Sequence, residues 1–254
     1  MLTNRRGDTN GPGMVIPHMG GAGSVRTPEQ ESTVVPTLGS WARFRLALLS
    51  LVLAGCVGAQ QTSPDNPTGA DGLVPNVEDK DAGLVAIVPG FNIKDYPIIA
   101  VAPFPVTDPS VEDEGDRRFS AEMATFLLTE LVRRLRDSGL FQRVVDLNET
   151  DYKPGPADQA LRLDGTIPRL GRGSQVARHF GGLYGAGRTR AQADMRFVEM
   201  SSGRVVMVTA DRRVASRGAF GGSDREHLRE SFDDMARDLA KFLLRLSRGG
   251  APGR

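Results

Sequence analysis

The sequence predicts a single α/β domain, a mixed sheet of about five strands covered by two amphipathic helices in the order β-α-β-β-β-β-α. Three observations predict it. Short apolar runs rich in β-branched residues read as buried strands, two long stretches keep their apolar residues on one helical face, and an alternating segment is followed by a turn and a second extended run. With 254 residues, 39% hydrophobic and 25% charged side chains, the chain can bury one good core and has neither a disordered nor a membrane-spanning composition.

The elements follow in order. Pro97 to Val106 (PIIAVAPFPV) is a short continuous apolar run that suits a buried strand. From Arg117 to Ser138, Phe119, Met123, Phe126, Leu127, Leu131 and Leu135 form a one-sided stripe, and Gly139 is placed to end the helix. Phe141 to Leu147 and Gln159 to Arg172 give the second and third strands. Ala191, Ala193, Met195 and Phe197 alternate with Gln192, Asp194 and Arg196, a half-buried strand. Ser201-Ser202-Gly203 turns the chain and Arg204 to Ser216 returns antiparallel. Ser223-Asp224-Arg225-Glu226 is a capping box opening a helix with Leu228, Phe232, Met235, Leu239, Phe242, Leu243 and Leu246 on one face.

Before this domain lies a leader. Trp41 to Cys56 reads WARFRLALLSLVLAGC: positive Arg43 and Arg45, an apolar run from Leu46 to Leu53, and small residues before a cysteine. That is the layout of a secretory signal, and the apolar run is too short for a bilayer that takes about 20 helical residues. Leu53-Ala54-Gly55-Cys56 matches the lipobox of bacterial lipoproteins, which implies acylation of the Cys56 sulfur and cleavage ahead of it. Cys56 is the one cysteine, so no disulfide can form within the chain. Residues 1–40, rich in Gly, Pro, Ser and Thr, read as disordered, with translation expected to start near Val34 or Leu38. Residues 41–55 are the signal peptide, and 56–83 the acylated cysteine and an acidic flexible tether holding the domain about 30 Å from the membrane as a random coil. Residues 84–247 are the globular domain and 248–254 a disordered tail.

Charge is unevenly spread around a net +1. Val57 to Asp116 holds eleven acids against Lys80 and Lys94, and Arg169 to Arg217 holds ten arginines against Asp194, Glu199 and Asp211. The second stretch is either a basic face or the mark of a general preference for arginine, since the chain has only four lysines.

Gly171 to Gly187 (GRGSQVARHFGGLYGAG) concentrates six glycines. It is no phosphate loop. A Walker A motif needs a Lys and a Ser or Thr after its last glycine, and a dinucleotide fingerprint needs a third glycine where Val176 stands, opening a helix. Neither nucleotide nor nucleic acid is expected as a partner, no cofactor is called for, and no metal-ligand spacing is present. Ser174 and His179 share one segment without a third orienting group, so no catalytic residue is assigned. His227 is expected to be solvent-exposed. Val176, Arg178, Phe180, Leu183 and Tyr184 have the composition of a protein contact and are the candidate interface; the alternative is that Phe180 and Tyr184 tuck into the domain's own core.

Gly173-Ser174, Ala177-Arg178, Phe180-Gly181, Gly185-Ala186-Gly187 and the Ser-Ser-Gly turn into Arg204-Val205-Val206 resemble the family catalogued as domain of unknown function 4410. The same order is similar to a segment of the curli secretion channel lipoprotein. The resemblance implies an exported lipoprotein with a compact α/β domain and no assigned activity. The residues themselves leave no spare hairpin for a pore, because a membrane hairpin needs about 9–11 residues per strand with a lipid-facing apolar side. The two adequate strands carry Arg190, Asp194, Arg196 and Arg212 on their polar side and need the other side for the helices. Val57 in place of an aspartate implies sorting to the outer membrane. The expectation is a non-catalytic, periplasm-facing binding or envelope-assembly domain, with a ring subunit of an outer-membrane secretion assembly as the alternative and a hydrolase third. Partners would be the membrane through Cys56 and a homo-oligomer or another envelope protein.

Overall fold

A computed structural model describes residues 59–155, 157–171, 188–216 and 223–253. The sheet is mixed, as expected, but has eight strands rather than about five. These are β1 (Gln60–Thr62), β2 (Val77–Asp79), β3 (Gly83–Ile87), β4 (Ile98–Val101), β5 (Arg143–Asp146), β6 (Ala160–Gly171), β7 (Arg188–Glu199) and β8 (Val205–Ser216). Helices α1 (Glu114–Asp137) and α2 (Asp224–Ser247) complete the domain. The strands lie in the order β2-β3-β8-β7-β6-β4-β5, with β1 also paired to β8. The three additional strands are β1 to β3. They were illegible because QQT and VED are too short and polar to show a period; β8 supplies the pairing that makes β1 and β3 strands.

The long strands β6, β7 and β8 form an antiparallel centre, while β4 pairs in parallel with both β5 and β6. The first run leaves the sheet after Val101 because Pro103 and Pro105 have no amide proton to give a ladder. The chain still follows β6: Ala102 donates to the Leu163 carbonyl and Thr107 to that of Ile167. Gly165 sits where backbones converge, since a Cβ there would lie 2.0 Å from the Asp194 carbonyl oxygen.

Each helix starts from a side-chain cap. The Asp116 amide donates to the Asp113 carboxylate at 2.7 Å, and Ser223 with Glu226 forms the reciprocal capping box at α2. Gly139, at φ +64°, takes the left-handed conformation that ends α1. Beneath the helices, Phe119, Met123, Leu127, Leu131, Leu228, Phe232, Leu239 and Leu243 pack on Ile99, Leu161, Leu163, Ala193, Met195 and Phe197. Full burial of one such aliphatic side chain stabilises by about 1.5–3 kcal/mol, so this layer supplies most of the driving force.

Residues read as a tether and a tail belong to the domain. After β1, residues 63–73 cross the face of the sheet opposite the helices, and β2 and β3 then extend its edge. At the other terminus, Gly253 donates to Asp79 at 2.9 Å and accepts from the Lys80 amide. Polar side chains make both attachments, which hydropathy does not reveal.

Candidate functional site

The residues singled out from sequence, Leu53, Ala54, Gly55, Cys56, Val176, Arg178, Phe180, Leu183 and Tyr184, lie outside the described residues, as do Ser174 and His179. Their attachment points are described, and they converge. Gly171 pairs with Arg190, Arg188 with Ser216, and Gln60 with Val214. Strand β6 therefore ends, β7 starts, β8 ends and β1 starts at one end of the sheet. Asp108, whose carboxylate accepts from the Leu170 amide at 2.6 Å, carries the chain toward α1 at the same end. The glycine-rich segment 172–187 and the short segment 217–222 both depart from here. Cys56 stands four residues before Gln60, no more than about 14 Å of extended chain. Linear separation of more than a hundred residues had hidden that Gln60 lies at the same end of the sheet as Gly171 and Arg188, the flanks of the glycine-rich segment.

The polar face of β7 and β8 has a purpose that composition alone did not show. Gln192, fully buried, accepts from the Asp65 amide at 2.8 Å and donates to its carbonyl at 3.0 Å. Asp194 accepts from the Thr68 amide at 2.8 Å. Arg212 donates to the Ser63 carbonyl and the Asp65 carboxylate, both at 2.9 Å. These bonds clasp residues 63–68 across the sheet as a strap. Arg196 and Arg162 flank Asp164 farther along this face, each donating to its carboxylate.

Under α2 the inner face changes from apolar to ionic. Arg213, with a side chain 6% exposed, bridges Asp211 at 2.8 Å and Asp238 at 3.2 Å. Burial pushes the Asp211 carboxyl above its usual range, against the pull of Arg213. Burial also opposes ionisation of Asp238, but Lys241, Arg213 and Arg237 together outweigh it and hold that carboxyl below 3.8. A neighbouring cluster fastens the β2–β3 turn to α2. Asp79, its side chain fully buried, accepts two bonds of 2.8 Å from Arg245 and others from the amides of Asp81, Ala82 and Gly253. Burial raises its pKa, but the donors prevail and lower it from 3.8. The folded carboxyl thus ionises more readily than the unfolded one, so its contribution is present above the unfolded value and is lost as pH falls through the folded one. Asp79→Asn is expected to melt lower than the wild type at pH 7. The difference should narrow below about pH 4, as calorimetry at stepped pH would show, and a constant difference would rule out this source.

The described residues form several hollows. One of about 420 Å³ is lined by Gln61, Thr62, Glu78, Lys80 and Leu84, and another of about 420 Å³ by Phe104, Val106, Val111, Arg117, Ala121 and Ala124. A third of about 80 Å³ lies under the strap beside Asp194 and Arg196. Among the described residues no three His, Cys, Asp or Glu side chains gather as metal ligands. His227, expected in solvent, is mostly covered: its side chain is 16% exposed and its Nε2 is buried without a partner. No described helix is long and apolar enough to cross a membrane.

No family model matches the chain, so the resemblance to domain of unknown function 4410 gains no support of that kind, and no curated protein matches it. Solved structures do. The PelC dodecamer of Paraburkholderia phytofirmans is 12% identical, with 61% of this chain and 94% of that one covered and a TM-score of 0.37. A Xanthomonas campestris protein of family DUF330 is 12% identical over 60% and 86%, with a TM-score of 0.41. A provisionally named lipoprotein of Caulobacter crescentus is 14% identical over 63% and 96%, with a TM-score of 0.32. Likenesses at this level assign neither a family nor a role.

Proposed function

We propose that this chain is an envelope lipoprotein in which acylated Cys56 holds a non-catalytic α/β binding or assembly domain, facing the periplasm and sorted to the outer membrane. One observation carries the reading. The first described strand begins at Gln60, four residues after the lipobox cysteine, which suits a mature chain that starts at Cys56. Val176, Arg178, Phe180, Leu183 and Tyr184 are the proposed contact set, in a segment that departs from the end of the sheet nearest the anchor. Growth with an alkyne fatty acid should tag the wild-type protein and leave Cys56→Ser untagged, with a loss of at least tenfold. Label retained in Cys56→Ser would overturn the proposal.

A ring of copies is the second reading. It is favoured by an open sheet whose terminal strands, β2 and β5, offer backbone edges for association. A stable high-mass species in detergent would support it, and a monomer would count against it.

A further inference from the structure

We infer that Arg162 and Arg196, on the strap face of β6 and β7, form a binding site for a phosphate-type oxyanion. The inference goes beyond the function proposed above and does not depend on acylation of Cys56.

The site follows from strand register. Asp164 of β6 lies opposite Arg196 of β7, and Arg162, two residues before Asp164, shares its face of the sheet. The Asp164 side chain is 11% exposed and accepts from the Nε of Arg162 at 2.7 Å and from the Nε of Arg196. One buried carboxylate therefore fixes two guanidiniums by the nitrogens nearest their stems. The arginine side chains stay 41% and 49% exposed, and their Nη groups make no hydrogen bond among the described residues. Forks held in place before a ligand arrives lose little freedom on binding it.

The charges of this cluster do not balance. Two arginines against one aspartate leave one positive charge over. Two residues before Arg196, Asp194 has its oxygens on Gln192 and the Thr68 amide, and Asp65 is held by Arg212 and Arg169, so neither bonds to the pair. The unused N–H groups of the two forks outnumber the four lone pairs of a second carboxylate, whereas a phosphate group presents three strongly accepting oxygens to them. Room for such a group exists beside Arg196, where the hollow of about 80 Å³ is lined by Thr68, Gly69, Gly165 and Thr166. The two threonines add hydroxyls there, and the two glycines bring no side chain to crowd it.

The test melts the full chain, in a non-ionic detergent, in rising inorganic phosphate against chloride at equal ionic strength, because a ligand of the folded state raises its melting temperature and salt screens partly exposed charges. Saturable stabilisation of the wild type is expected. Arg162→Gln and Arg196→Gln should each raise the half-saturating concentration about tenfold, and the double variant should abolish the response. Asp164→Asn leaves both arginines uncompensated and should lower that concentration several-fold, a gain that a purely structural ion pair would not yield. Cys56→Ser should respond as the wild type does, so a failure of acylation leaves this result intact. A second arm dopes the micelles with phosphatidic acid, with phosphatidylcholine as control. Half-saturation at a lower phosphate-group concentration than with inorganic phosphate assigns the site to a lipid headgroup, and no such advantage assigns it to a soluble phosphate compound. No saturable response in the wild type, an equal one in the double variant, or a weaker one in Asp164→Asn would overturn the site.

Discussion

A chain beginning at Leu84, where the sequence places the start of the globular domain, is expected to lose most of its stability and to self-associate, whereas one beginning at Ala59 should remain folded. The shorter chain lacks β1, β2, the first residue of β3 and the strap. Strand β8 would lose its pairs with Gln60, Gln61, Thr62 and Gly83, leaving much of one long edge open to another copy. Across the sheet, Gln192, Asp194 and Arg212 would lose their bonds to Ser63, Asp65 and Thr68. Val198, Val205 and Val208, which pack against Ala70 and Leu73, would face water. Each lost hydrogen bond contributes about 0.5–1.5 kcal/mol, so the sum is on the order of 5 kcal/mol, comparable with the whole stability of a typical domain. Thermal melting with size-exclusion chromatography of both chains checks this. Equal melting of two monomers would show that the strap is dispensable.

Arg213→Met is expected to destabilise the domain by about 3–5 kcal/mol, the usual result of removing one partner of a buried ionic group. Methionine fills much of the space but leaves the Asp211 and Asp238 carboxylates, 5% and 11% exposed, without the guanidinium between them. At about 2–4 °C per kcal/mol for a domain of this size, the melting temperature should fall by about 6–20 °C. The pH dependence tests the cause. Asp211 already has a raised pKa in the wild type, so its folded form holds a proton more tightly than the unfolded chain does, and stability from this group declines as pH rises through that window. Without Arg213 both carboxyls shift upward, so the variant's deficit should be largest near neutrality and shrink as acid protonates them. Asp211→Asn added to Arg213→Met should recover part of the loss at pH 7. No recovery, with a deficit independent of pH, would point to packing rather than charge.

What the sequence determined by itself was whatever depends on neighbours along the chain. The stripes of α1 and α2, the capping box at Ser223, the glycine that ends α1 and the alternation of β7 each express a local period or a local hydrogen bond, and the structure bears these elements out within a few residues. The mixed α/β class followed from them. Tertiary structure alone decided the additional strands, because Gln60–Thr62 and Val77–Asp79 have no period of their own and become strands only where β8 and β3 supply partners. It decided that an acidic, Pro- and Gly-punctuated stretch is a strap, since Gln192, Asp194 and Arg212 provide bonds from a sheet more than a hundred residues away. It also decided that Gln60, Gly171 and Arg188 share one end of the sheet. That juxtaposition comes from strand register, in which Gln60 meets Val214, Arg188 meets Ser216 and Gly171 meets Arg190, and register is set by cross-strand packing that composition does not encode.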